Sequence, residues 1–307
     1  MKRFAQNGLR LFVFSLLIML GWNINAHAAG CGLSGDGQTQ SVRVPGTERA
    51  LLVHLPQDFD AATPAPLLFL FHGSTGTGAA MLKGSQLEAT SDHNGFILVA
   101  PVGGIPADKG FVWNIPGVPT VTGKVPGPED ADDVAYVKAT IDWLAAEGCI
   151  DRAKVYATGL SGGGRMTSWL ACVAADRFAA IAPVVGLRAG NPRTEEKTRP
   201  DPATCQPSHP MPVIAFAGDK DTVNPIEGGG AGYWQYTMHA AEQRWAQLNA
   251  CTTAPVTQWV ANGVYEERYS GCQNEADVVG RITVGGTHTW VADNEAMWAF
   301  LKNHRRD

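Results

Sequence analysis

The chain has no C-x-x-C pair, no excess of basic side chains, no internal repeat and no Ser/Thr/Pro-rich spacer. Each absence excludes something. Cysteines spaced this widely form neither a zinc cluster nor a dithiol redox motif. With 24 Lys and Arg against 29 Asp and Glu, a formal charge of −5, nothing draws the chain to a phosphate backbone or to anionic lipid. No nucleic-acid or membrane partner is therefore expected. Without spacer or repeat, one domain is the simplest organisation, and 307 residues at 45% hydrophobic content suffice for one large core.

What is present begins with a leader-like N-terminus. Lys2, Arg3 and Arg10 precede an apolar stretch over residues 11–20, and Ala26-His27-Ala28 offers small residues around a cleavage point. This is the pattern of a secretory signal peptide over residues 1–28, leaving a catalytic chain over 29–307. The apolar run is too short for a membrane span, and the polar Asn23 and Asn25 follow it. Ala28-Ala29-Gly30-Cys31 loosely resembles a lipid-attachment site but lacks its usual leucine, so a secreted or periplasmic protein is expected rather than a lipoprotein. Loss of the leader, with three basic side chains and no acidic one, moves the formal charge from −5 to −8.

Export puts the six cysteines in an oxidising setting, where an even number implies three disulfides. Cys251 and Cys272 flank what reads as a hairpin and are the first pair. Cys172 with Cys205 and Cys31 with Cys149 then follow by elimination. Pairing also argues against lipidation of Cys31, which would leave one thiol over.

Short apolar runs at 67–71, 96–100, 154–158, 180–185, 213–217 and 278–284 read as buried strands. They alternate with helical patterns at 132–147, 162–174, 233–249 and 294–304. Repeated βαβ order of this kind gives an α/β fold with a mostly parallel, doubly wound sheet in a single domain. Residues 41–44 and 50–55, around Pro45-Gly46, read as an antiparallel hairpin at the sheet edge. Residues 103–128 and 188–212 are long loops; the first holds Trp113, Asn114 and five prolines, a composition suited to a rigid cleft wall.

The chemistry is concentrated in Gly159-Leu160-Ser161-Gly162-Gly163, a G-x-S-x-G pattern between a strand and a helix start. A serine hydroxyl is a weak nucleophile unless it stands proud of the backbone beside a base, and the flanking glycines permit the tight turn this needs. The base and its orienting acid follow in order Ser, Asp, His, each after a strand. Gly218-Asp219-Lys220-Asp221 supplies the acid and Gly285-Gly286-Thr287-His288-Thr289-Trp290 the base. Asp221 is preferred over Asp219, which more naturally closes the turn. His54, His93, His209, His239 and His304 follow no late strand and read as structural. Backbone N–H groups for the oxyanion are expected from Gly162 and from Ser74 or Thr75 in the glycine-rich turn after residue 71, with His72 as its scaffold. Asp130, Asp132 and Asp133 precede a helix and read as caps and dipole partners, so no metal is expected.

Cys149-Ile150-Asp151, Val155 through Gly164, Leu170-Ala171-Cys172 and Phe178 through Pro183 resemble the secreted polyhydroxybutyrate depolymerase and feruloyl or acetylxylan esterase family of α/β-hydrolases. The turns ending in Asp221 and carrying His288 are similar to that family's acid and histidine loops. Ala217 stands where the family often has histidine, and Trp290 is followed by Val291-Ala292 instead of Pro-Gly; both departures bear on substrate choice. The resemblance implies an α/β-hydrolase fold and two-step ester hydrolysis by Ser161, His288 and Asp221 without a cofactor, on a small or polymeric ester, by a monomer. Trp113, Tyr233, Trp234 and Trp290 are the candidate pocket aromatics. Depolymerases of solid polyester commonly carry an added binding domain, which favours feruloyl or acetyl esters of plant polysaccharide over polyester or its oligomers. A catalytically idle binding protein is the competing class; its signature would be a broken triad, and all three residues are present.

Overall fold

A computed structural model describes residues 30–306; the leader read over 1–28 lies outside them. The elements in chain order are β1 (Gln38–Arg43), β2 (Ala50–Leu55), β3 (Ala65–Phe71), α1 (Gly78–Ser85), α2 (Leu87–Asn94), β4 (Ile97–Pro101), β5 (Ile105–Ala107), β6 (Gly110–Val112) and α3 (Asp133–Ala146). They continue with β7 (Ile150–Leu160), α4 (Gly162–Val173), β8 (Ala180–Val184), β9 (Val213–Gly218), α5 (Met238–Leu248), β10 (Val256–Ala261), β11 (Val264–Tyr269), β12 (Val278–Thr283) and α6 (Asn294–Leu301).

Ten strands make one sheet in the order β1-β2-β4-β3-β7-β8-β9-β12-β11-β10. The six central strands, β4 to β12 in that order, are parallel, and the pair at each flank is antiparallel. Composition explains the division. β4, β8 and β9 are buried along their whole length, as strands covered on both faces must be, whereas edge strand β10 is exposed throughout. Side chains alternate across the sheet: Leu67, Phe69 and Phe71 of β3 join the core beneath α3, α4 and α5, while Leu68 and Leu70 face α1, α2 and α6. Helices therefore cover both faces, as the βαβ order predicts.

Three disulfides fasten this frame, Cys31–Cys149, Cys172–Cys205 and Cys251–Cys272. The first ties the N-terminal segment to the start of β7, the second ties loop 188–212 to α4, and the third closes the base of the β10–β11 hairpin. Two local readings need correction. The helix expected from 233 starts only at Met238, because Thr237 caps it by accepting the Ala240 N–H at 2.9 Å. Residues 233–236 before it are held in turns, with the Trp234 indole N–H donating to the Pro225 carbonyl at 2.6 Å. Loop 103–128 contains the antiparallel ribbon β5–β6. Among the described residues no helix is long and apolar enough to cross a membrane.

Candidate active site

Strand β7 ends at Leu160 and α4 begins at Gly162, so Ser161 alone makes the turn, at φ 56° and ψ −112°. This is a strained conformation for a residue with a side chain. The turn is possible because α4 sits hard against the end of β3: a Cβ on Gly163 would lie 2.0 Å from the Phe71 carbonyl oxygen. Ser161 occupies the cap position of α4, yet its hydroxyl caps nothing. Its Oγ lies 2.8 Å from His288 Nε2 instead.

The other ring nitrogen of His288 lies 2.8 Å from Asp221 Oδ2. An ionised carboxylate can only accept, so Nδ1 carries the proton and Nε2 presents its lone pair to the serine. Asp221 is nearly inaccessible, and Oδ1 accepts the backbone N–H groups of Val223 at 2.8 Å and Asn224 at 2.9 Å. Burial alone would push its pKa up; the hydrogen bond from His288 and those from the Asn224 and Val223 amides together outweigh it and hold the carboxyl below its usual range. Asp219, the competing acid, accepts the Gly285 N–H at 2.6 Å and joins the acid turn to the histidine turn.

The Asn224 side chain donates to the Val185 carbonyl at 2.6 Å, anchoring the acid turn to the end of β8. Val185 itself has φ 43°, a costly conformation for a β-branched residue. Sequence reasoning missed both residues: an Asn three positions after an acid and a Val at a strand end carry no pattern that marks them.

Opposite Ser161, the turn after β3 faces the start of α4. A Cβ on Gly162 would lie 2.9 Å from the Ser74 amide nitrogen, so Ser74 packs directly on the residue after Ser161, and both line one crevice. Thr75, the other candidate donor, is corrected: its N–H is spent on the Phe111 carbonyl of β6 at 2.8 Å. His72 holds the turn from within. Its Nδ1 donates to the Gly73 carbonyl at 2.7 Å and its Nε2 accepts the Gly103 N–H at 2.9 Å. Burial, aided by the Arg49 charge and only partly offset by the Gly73 carbonyl, lowers its pKa to about 4, so the ring stays neutral and keeps both bonds.

Asp133 performs a similar task for the cleft wall, and the reading of it as a dipole partner needs extending. Asp132 is the cap of α3, accepting the Ala135 N–H at 2.8 Å. Asp133, fully covered, accepts the N–H groups of Gly104 at 3.0 Å and Asn114 at 2.7 Å while pairing with Arg49 at 2.7 Å. Asp130 pairs with Lys124 and accepts the Gly127 N–H at 3.0 Å.

The four aromatic candidates separate. Trp113 lines a crevice that reaches Ser74 and Gly162, with its N–H bonded to the His72 carbonyl at 2.8 Å and its ring edge-on to Phe71. Tyr233 lines an adjoining crevice, with the Arg165 guanidinium 4.0 Å above its ring. Trp234 is buried at 2% exposure beneath Arg188 and acts as packing. Trp290 donates to Asn294 Oδ1 at 2.8 Å and packs on the α1, α2 and α6 side, away from both crevices. These last two are corrections to the expected acyl wall: an indole beside a catalytic turn in sequence need not face the same side of it.

Among the described residues one further group has metal-ligand proximity, His239, Glu242 and Glu267. It lies between α5 and β11, and there the imidazole itself bridges the carboxylates, 3.1 Å from Glu242 and 3.2 Å from Glu267.

Known proteins bear on this arrangement. Residues 124–189, from before α3 through β8, match the prolyl oligopeptidase family. Over 262 residues the chain is 30% identical to feruloyl esterase B of Piromyces equi, covering 83% of this chain and 45% of that protein. It thus spans less than half the length of that relative. It is 27% identical over 287 residues to feruloyl esterase D of Neurospora crassa, covering 91% of this chain and 89% of the relative. Among solved structures, the acetyl xylan esterase of Aspergillus awamori superposes with a TM-score of 0.62 at 17% identity, over 86% of this chain and 99% of that one. The resemblance read from the sequence stands, and the chain has the α/β-hydrolase fold.

Proposed function

We propose that the chain is an exported serine esterase in which Ser161 is the nucleophile, His288 the general base and acid, and Asp221 the group that fixes the histidine. One observation carries this reading: the continuous line from Asp221 through His288 to Ser161, with 2.8 Å at each step. As Ser161 attacks an ester carbonyl, its proton passes to His288 Nε2, and the imidazolium formed is stabilised by ionised Asp221. The oxyanion is received by the Gly162 and Ser74 N–H groups, assisted by the N-terminal end of α4. His288 then protonates the departing alcohol. Water, deprotonated by the same nitrogen, releases the acid and restores the serine.

The substrates proposed are hydroxycinnamoyl or acetyl esters of plant polysaccharide, on the strength of the feruloyl and acetyl xylan esterases to which the chain is similar. Three disulfides suit an oxidising compartment, which supports export by the leader. The test is hydrolysis of a short-chain aryl ester, methyl ferulate and acetylated xylan by the wild type and by Ser161→Ala. Wild-type turnover that vanishes in the variant is expected; equal inactivity of both folded, disulfide-bonded proteins contradicts the proposal.

A further inference from the structure

Arg165 and Arg188 are two buried guanidinium groups with no carboxylate partner among the described residues. Arg165, four residues after the nucleophile on α4, is 7% exposed; its Nη2 donates to Ser74 Oγ at 3.2 Å and its Nε has no hydrogen-bond partner. Arg188, in the loop after β8, is also 7% exposed. Its Nη1 donates to the Tyr236 carbonyl at 3.0 Å, while Nε and Nη2 are unpartnered. Otherwise they rest on aromatic faces, Arg165 on Tyr233 at 4.0 Å and Arg188 on Trp234 at 3.2 Å.

Burying a cation without a counter-charge is expensive, and placing two of them in one neighbourhood adds mutual repulsion. Burial pushes Arg165 down to about 10, and burial together with the Arg165 charge pushes Arg188 down to about 9. Acidic residues are not scarce in a chain with 29 of them, yet none lines the crevices where these arginines lie. Arg165 stands where the two crevices adjoin. One reaches Ser74 and Gly162; the other runs past Trp169 to Arg188 and the half-buried Tyr233. The unpaired donors are covered and the two crevices hold only about 10 and 20 Å³, so a group arriving beside Gly162 reaches them by parting the crevice walls.

We infer that the substrate supplies the missing anion: the preferred ester carries a free carboxylate, seated against Arg165 and Arg188 while its carbonyl lies at Ser161. This rests on the esterase reading above and deepens it. A planar guanidinium matches a carboxylate in shape and charge, and a hydrogen bond to a charged group typically contributes about tenfold or more in affinity.

Matched esters test it and separate the two places the carboxylate can occupy. Monoethyl glutarate against diethyl glutarate places it on the acyl side; a hydroxybutyrate dimer against its methyl ester, scored by cleavage of the internal bond, places it on the alcohol side. The wild type is expected to prefer the free-carboxylate member of one pair by about tenfold in kcat/KM. Arg165→Met and Arg188→Met should bring that ratio towards unity, and Arg165→Lys should keep part of it. Preference for the neutral member in both pairs, or an unchanged ratio in the Met variants, overturns the inference while leaving the esterase reading intact. Should the variants not fold, competition against a neutral aryl ester decides on the wild type. Glutarate inhibiting far more strongly than neutral glutaramide supports the inference, and equal inhibition overturns it. Failure of the wild type to cleave any ester, aryl ester included, overturns the reading on which it rests.

Discussion

His288 and His239 both lie against buried carboxylates but spend their ring nitrogens differently. His288 meets one carboxylate through Nδ1 and turns Nε2 to a hydroxyl. His239 directs Nδ1 to two carboxylates at once, Glu242 and Glu267. The hydrogen bond to Glu242, opposed by burial and reinforced by the charges of Glu242, Glu267 and Glu227, raises His239 to about 9. It is therefore an imidazolium at neutral pH and has no lone pair to offer. A carboxylate neighbour alone does not make a general base. What matters is that one carboxylate orients the ring and that the remaining nitrogen faces the group to be deprotonated.

His288→Gln should lower kcat on an aryl ester by about 10⁶-fold, whereas His239→Gln should change it less than about twofold, since surface substitutions away from a site are near neutral. Steady-state rates of the two purified variants check this. A smaller effect should follow from removing only the orienting charge. Asp221→Asn keeps the shape but favours the wrong tautomer, for a loss of about 10⁴-fold in kcat, with unfolding midpoints reporting whether the turn that holds Val223 and Asn224 survives.

The smallest effect belongs to His239 and concerns stability. Its folded pKa, about 9, lies above the ordinary value of 6.5. Its contribution is therefore fully present below 6.5 and is lost as pH rises through 9. Because the imidazole is 40% exposed, screening limits the effect to about 1 kcal/mol. Denaturant midpoints should fall between those two pH values in the wild type, and the fall should flatten in His239→Gln.

The same contrast explains what the sequence made legible. Ser161, Asp221 and His288 each stand on a short turn directly after a parallel strand, so local pattern and chain order suffice to find them. Gly162 follows from the nucleophile by adjacency, but the choice between Ser74 and Thr75 depends on a bond from Thr75 to β6, 36 positions away in sequence, and no local signal reports that. Trp234 and Trp290 fail as pocket walls for a related reason. Sequence places an aromatic near a turn, whereas the indole N–H partners, Pro225 and Asn294, decide which way it points. Arg165 did carry a signal, a charged residue one helical turn after the nucleophile in a segment of otherwise small and apolar residues. Its meaning emerges only beside Arg188, which a loop brings to the same crevice.

In the proposed mechanism His288 activates Ser161. Labelling by a fluorophosphonate, read by mass spectrometry and followed in time, reports that activation. A single adduct on Ser161 is expected, forming at the same rate in the wild type and His239→Gln and far more slowly in His288→Gln. An adduct on another residue, or labelling of His288→Gln at the wild-type rate, would contradict it.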